Sequence, residues 1–242
     1  MKSKLIELLI SFLSKLPLRL LYGIARFLII TNTIIINYRQ KIVSENLKSA
    51  FPELKEKERK KIKNQFYNFL GNVIFEIIKG KSFQKNDILK RVKIKNVDLI
   101  KINKPIILIA SHYNNWEWLF LRIGLIKDVN LAAVYKPISN ISFNTIILKI
   151  RKKFGAVLIP VKKWKYFILN NKKKPYTFMF ITDQVPGKKV NGDRIQFLNQ
   201  STLFDKGAEK TAQLLNADVI YSEMEQVKKG YYVVTLKKIN TK

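Results

Sequence analysis

Residues 105–118, Pro-Ile-Ile-Leu-Ile-Ala-Ser-His-Tyr-Asn-Asn-Trp-Glu-Trp, constrain the fold more than any other stretch. Pro105 to Ala110 carry no polar side chain, and a short, uniformly apolar run of this kind reads as a strand buried on both faces. It breaks at Ser111 into a polar turn that holds His112, the only histidine in the chain. Glu117 follows five positions later. Inside one helix, residues five apart sit about 140° round the axis and do not face each other. The pair meets only if His112 lies on the turn and a helix opens at Asn114 or Asn115, both good N-cap types. Glu117 then falls in the first turn and reaches back toward the imidazole.

A neutral imidazole beside a carboxylate can take a proton from an acceptor hydroxyl or amine, the carboxylate fixing its tautomer. The same spacing also describes an ordinary surface or core pair. Three features favour the base: the end of an apolar strand is where open α/β sheets build sites, Trp116 and Trp118 flank the carboxylate and can exclude water, and no second histidine is present.

The 242 residues and a hydrophobic fraction of 47% suffice for one substantial α/β domain with an appendage. The absence of cysteine excludes disulfides, a cysteine nucleophile and thiolate metal sites, and a single histidine argues against a histidine metal centre, so no cofactor is expected. A net charge of +29, spread along the chain, implies an anionic partner. Nucleic acid is not the expected one, because no nucleic-acid motif accompanies the charge. A serine hydrolase built on His112 would need a Gly-x-Ser-x-Gly elbow, which is absent.

Residues 1–38 form the most apolar segment and read as an N-terminal membrane-associating helix, separate from a domain over 39–242. The longest uncharged piece, Phe27 to Tyr38, has 12 residues, short of the roughly 18 a spanning helix wants. Glu7 and Lys15 interrupt the pattern expected of a signal peptide. An interfacial helix with Arg19 and Arg26 snorkelling to phosphates is the favoured state, against packing on the protein's own core or a single span. Helical spacing then recurs from Ile42 to Phe51, ended by Pro52, and from about Lys55 to Lys79. Val92–Ile100 is a strand or an irregular lead-in.

Beyond it, strands are expected at Pro105–Ala110, Val129–Tyr135, Ala156–Val161, Tyr176–Thr182, Asp218–Glu223 and Tyr231–Lys238. Helices are expected at Trp116–Lys127, Phe143–Phe154, Trp164–Asn171 and Phe204–Asn216. The alternation predicts an α/β fold with a mixed, mainly parallel sheet flanked by helices, its last two strands pairing antiparallel at one edge. Four further polar spots then gather on the edge that holds His112: Tyr135-Lys136-Pro137 with Asn140 and Asn144, Arg151 before Gly155, Asp183-Gln184-Val185-Pro186-Gly187, and Phe197-Leu198-Asn199-Gln200 with Gly207 and Glu209.

In this order the blocks resemble the lysophospholipid acyltransferase superfamily, and within it the bacterial lipid A late acyltransferases. Tyr38-Arg39, Glu45-Asn46-Leu47 and Ala50-Phe51-Pro52-Glu53 are similar to that family's lead-in, His112 and Glu117 to its H-x4-D/E box, Tyr135-Lys136-Pro137 to its Tyr-Arg-Pro block and Asp183-Gln184 to its Asp-Gln block. Phe197-Leu198-Asn199-Gln200 sits where many members have Phe-Phe-Gly. Lys136 departs from the pattern, trading a bidentate fork for a point charge. The domain also reads as C-terminally shortened, without the tryptophan-rich basic segment members usually carry.

The resemblance implies a glycerol-3-phosphate acyltransferase-like fold and a membrane-associated enzyme at the cytoplasmic face of the bacterial inner membrane. Its donor would be an acyl carrier protein or acyl-coenzyme A, and its acceptor a hydroxyl of an anionic lipid A precursor. His112 is the implied general base, oriented by Glu117, with Tyr135, Lys136, Asn140, Arg151, Asp183 and Gln184 binding substrate. A glycerolipid or aminolipid acceptor, or an inactive membrane-binding homologue, is the alternative.

Overall fold

The computed structural model describes residues 2–32, 37–101, 103–172, 174–185 and 192–240. Five helices come first: α1 (Lys2–Lys15), α2 (Leu18–Thr31), α3 (Gln40–Ala50), α4 (Glu56–Gly80) and α5 (Lys85–Arg91). The remainder alternates as β1 (Val92–Lys95), β2 (Ile106–Ala110), α6 (Trp116–Ile123), β3 (Asn130–Tyr135), α7 (Ile141–Arg151), β4 (Val157–Pro160), α8 (Trp164–Asn170), β5 (Tyr176–Ile181), β6 (Gly192–Phe197), β7 (Gln200–Asp205), α9 (Gly207–Leu215), β8 (Asp218–Lys228) and β9 (Tyr231–Ile239).

Seven strands form one sheet in the order β1-β9-β8-β2-β5-β3-β4, and β6 and β7 form a separate hairpin. Among the described residues, β8 and β9 are the only antiparallel pair within the seven-stranded sheet. The apolar run at 105–110 forms the central strand β2, with β5 on one side and β8 on the other. Its side chains alternate between two cores, as a period of two requires. Ile106, Leu108 and Ala110 face α5, α6, α7 and Ile10 of α1. Ile107 and Ile109 face α8 and α9, through Ile168, Ala208, Ala212 and Leu215. The result is a three-layer α/β architecture, as the alternation predicted.

In the sheet and the elements joined to it, the structure amends the sequence reading in three places. The β8–β9 pair is not at the sheet's margin, because Val92–Lys95 adds β1 in parallel outside β9. Val97–Ile100 continues from it as a 3-10 turn, so the segment expected to be either strand or lead-in is both. The helix expected from Phe204 begins only at Gly207, because Gln200–Asp205 pairs with Gly192–Phe197. That hairpin turns at Leu198 and Asn199, both with positive φ, and is largely exposed, so it lacks the apolar alternation that signals a strand.

Among the described residues of 1–38 there are two helices rather than one. Pro17, extended at φ −57° and ψ 142°, separates them, since proline lacks the donor needed to continue α1. Both pack on the body. α2 buries Leu21 and Ala25 against Phe75 of α4 and crosses closely at Gly71, where a Cβ would come within 2.5 Å of Ile29 Cδ1. Lys79 Nζ donates to the Ser14 carbonyl at 2.9 Å and Lys149 pairs with Glu7 at 2.7 Å. The outer face of α1 still exposes Leu5, Leu8, Leu9 and Phe12, and α2 exposes Leu20, Phe27, Leu28 and Ile30. Among the described residues, no helix is long and apolar enough to cross a membrane.

Candidate active site

The turn after β2 is built from inside the molecule. Asn114 sits at φ 57°, a conformation asparagine tolerates better than most residues, and its buried Nδ2 donates to the Met224 carbonyl at 2.8 Å. Asn115 caps α6, its Oδ1 accepting from the Trp118 amide at 2.9 Å, while its Nδ2 donates to Glu76 Oε2 at 2.8 Å. Glu76 is fully buried on α4 and also accepts from the Tyr22 and Tyr232 hydroxyls, each at 2.6 Å. Burial, and then the neighbouring Glu76, raises the pKa of both phenols, which keeps them as donors. Glu76 therefore ties together α2, α4, β9 and the turn that carries His112.

Asn115→Ala removes the cap and leaves Glu76 with one donor fewer. A loss of about 1–3 kcal/mol is expected, read as a lower urea midpoint at unchanged slope.

His112 sits at the mouth of this turn, and its carboxylate partner is Asp183. The imidazole Nδ1 lies 2.8 Å from Asp183 Oδ1, and the His112 amide donates to Oδ2 at 2.9 Å. The sheet register explains the pairing. β2 and β5 align Ala110 with Ile181, so the residues two beyond each strand end emerge side by side.

Glu117, which the local spacing turned toward His112, instead faces Arg151. The Arg151 Nε donates to Glu117 Oε2 at 2.9 Å and NH2 to Oε1, a two-pronged contact. A guanidinium fork matches a carboxylate better than a neutral ring does. Burial alone would lower the Arg151 pKa, but the hydrogen bonds and charge of Glu117 outweigh it and the net shift is upward. Trp116 bridges the two pairs, its ring edge-on to His112 at 4.9 Å and its Nε1 donating to Glu117 Oε1 at 3.2 Å.

His112 and the Glu117–Arg151 pair line a pocket of about 480 Å³, within the usual range for small-molecule sites. Its apolar lining includes Phe120, Val134, Ile138, Met179 and Ile181, and its polar lining His112, Glu117, Tyr135, Lys136, Arg151 and Gln184. A larger groove of about 680 Å³ lies on the opposite side of β2, against α9, and contains neither His112 nor Arg151. Among the described residues, no group of acids and histidines is arranged to hold a metal ion.

Four expected positions land differently. Asn140 does not line the pocket; its side chain caps α7 by accepting from the Phe143 amide at 3.0 Å. Asn144 likewise braces the loop, accepting from the Ile138 amide. Trp118 points into the core, two positions and so about 200° from Trp116 on the helix, with its Nε1 on the Glu76 carbonyl. The Phe197–Gln200 block is the hairpin tip, where Asn199 Nδ2 reaches the Ala50 carbonyl of α3 at 3.4 Å. Pro186 and Gly187 lie outside the described residues.

Glu76 is the residue that sequence reasoning missed. Its signal was present in Val73-Ile74-Phe75-Glu76-Ile77-Ile78, a lone acid inside an apolar helical run, since such a group stays buried only with partners.

A family model described as bacterial lipid A biosynthesis acyltransferase matches residues 5–238. The chain belongs to this family. It is an acyltransferase, as the blocks around His112, Tyr135 and Asp183 implied. The match runs from α1 to β9, so the lipid A acyltransferase family takes in the N-terminal helices as well as the sheet. No curated protein matches the chain.

Proposed function

We propose that this acyltransferase moves a fatty acyl chain from a thioester donor to a hydroxyl of a lipid A precursor, with His112 as general base and Asp183 as the group that orients it. The observation that carries the reading is that His112, held by Asp183, lines a pocket of mixed polar and apolar side chains. With Nδ1–H donated to Asp183, the bare Nε2 accepts the hydroxyl proton. The resulting alkoxide attacks the thioester carbonyl, the tetrahedral intermediate collapses with cleavage of the C–S bond, and the imidazolium returns its proton to the departing thiolate. No acyl-enzyme is required.

Lys136, exposed at the pocket rim, supplies a point charge for a phosphate of the acceptor or donor. Arg151, engaged by Glu117, shapes the wall instead. Tyr135 and Gln184 line the space where the substrates meet. The exposed apolar face of α1, continued by α2, seats the protein on the cytoplasmic face of the inner membrane. Arg19 and Arg26 lie beside that face for lipid phosphates.

The purified protein, incubated in detergent with a lipid A precursor and either acyl carrier protein or coenzyme A thioesters, should add one acyl mass to the precursor by mass spectrometry. Failure to acylate it from either donor, or acylation of a glycerolipid in its place, overturns the proposal.

A further inference from the structure

Phe69, Glu76 and Gly80 follow one another on α4 at spacings of seven and four, which places them on one face of the helix. Each meets the segment that carries His112. The Phe69 ring stacks on Tyr113 with centroids 6.4 Å apart, and Gly80 lies so near the Trp118 indole that a Cβ would come within 3.3 Å of its Nε1. Glu76 holds the segment twice: its carboxylate accepts from Asn115 Nδ2 at 2.8 Å and its carbonyl from Trp118 Nε1 at 2.9 Å.

A fully buried acid is a costly way to fill that face, and an apolar side chain would pack there without the penalty. Among the described residues no cationic side chain forms an ion pair with Glu76. Three neutral donors satisfy it instead, the Tyr22 and Tyr232 hydroxyls and the Asn115 amide. What the carboxylate supplies is direction. Asn115 already uses its Oδ1 to cap α6 on the Trp118 amide, so it cannot flip, and its Nδ2 finds its acceptor only where Glu76 stands. His112 is three positions away, and its amide and ring are held by Asp183, whose side chain is 39% exposed. The rigid reference for the imidazole is therefore the buried side of the turn.

We propose that Glu76 is a positioning residue for acyl transfer: through Asn115 it sets where the His112 ring stands against Asp183, and through Tyr22 it makes α2 part of the same support. This rests on the acyl-transfer reading above and extends the working unit to side chains that do not line the pocket. The N-terminal helices then contribute to turnover as well as to the outer surface of the protein.

The test joins steady-state kinetics of the full chain with the His112 imidazole ¹⁵N spectrum and the melting curve of each variant. Glu76→Gln sets one amide N–H against another at Asn115. It should lower kcat by about tenfold or more with the donor KM within about twofold, because a displaced base loses reacting geometry rather than binding. The preference for the Nδ1-protonated ring should weaken with it. Tyr22→Phe removes one hydroxyl and should lower kcat by about threefold or more, in the same direction. Glu76→Gln/Asn115→Asp exchanges donor and acceptor while the new carboxylate still caps α6, and should bring kcat back to within about threefold of wild type. Ile168→Ala, in the core on the other face of the sheet, reports lost stability alone and should leave kcat and the spectrum unchanged. Either Glu76→Gln or Tyr22→Phe, folded with wild-type kcat and an unchanged spectrum, would make the network merely structural and overturn the proposal. So would a fall in kcat in Ile168→Ala equal to that in Glu76→Gln. A ring that responds to Glu76→Gln in a chain that transfers from no donor would leave the positioning standing and remove the acyl-transfer reading.

Discussion

Substituting His112 with alanine should cut acyl transfer by about 10²–10⁴-fold, the usual contribution of a positioned general base, while leaving thermal unfolding nearly unchanged. The side chain is partly exposed, and its hydrogen-bonding partner Asp183 is more exposed still, so water replaces the lost contact at little cost. The chain has no other histidine to take over. Asp183→Ala should reduce turnover in the same direction, because the ring then loses the acceptor that fixes its tautomer. The measurement is the initial rate with saturating donor beside the melting curve of each variant. A His112→Ala protein that is folded and retains the wild-type rate would exclude the imidazole from the chemistry.

The largest effect on stability is expected at the other charged pair. The Glu117 side chain is 6% exposed and its cationic partner is Arg151. Arg151→Ala leaves that carboxylate buried against the Trp116 indole alone, and breaking a buried pair from one side costs about 3–5 kcal/mol. Removing both charges with Glu117→Gln and Arg151→Met should recover much of the loss, since the unpaired buried charge causes the penalty. Urea unfolding of the two single variants and the double variant measures the coupling. A change below about 1 kcal/mol in Arg151→Ala would mean that the two side chains are solvated in solution.

The two pairs also show how far local sequence reasoning reaches. The apolar run at 105–110 and its polar exit made the position of His112 legible, because a buried strand that ends in Asn-Asn before an amphipathic helix has few ways to fold. The choice between Glu117 and Asp183 was not legible. It depends on β5 lying next to β2, a neighbour relation set across some 70 residues by a sheet order that no local pattern encodes. Asn140 was misassigned for a related reason, since an asparagine after a strand serves equally as cap or ligand, and only the Phe143 amide decides. The β6–β7 hairpin escaped because its exposed side chains carry no buried face. In α1 and α2 the apolar content was evident, but Pro17 was not given its weight as a break, and the close approach at Gly71 was invisible until α2 met α4.

Because His112 is the chain's only histidine, the imidazole ¹⁵N spectrum of uniformly labelled protein reports a single ring, and it addresses directly whether that ring offers a basic nitrogen to the pocket. In the neutral form the expected spectrum has Nδ1 protonated and Nε2 bare, with the tautomer preference weakening in Asp183→Ala and persisting in Glu117→Gln. A ring protonated at Nε2, or one indifferent to the loss of Asp183, contradicts the assignment of His112 as the base.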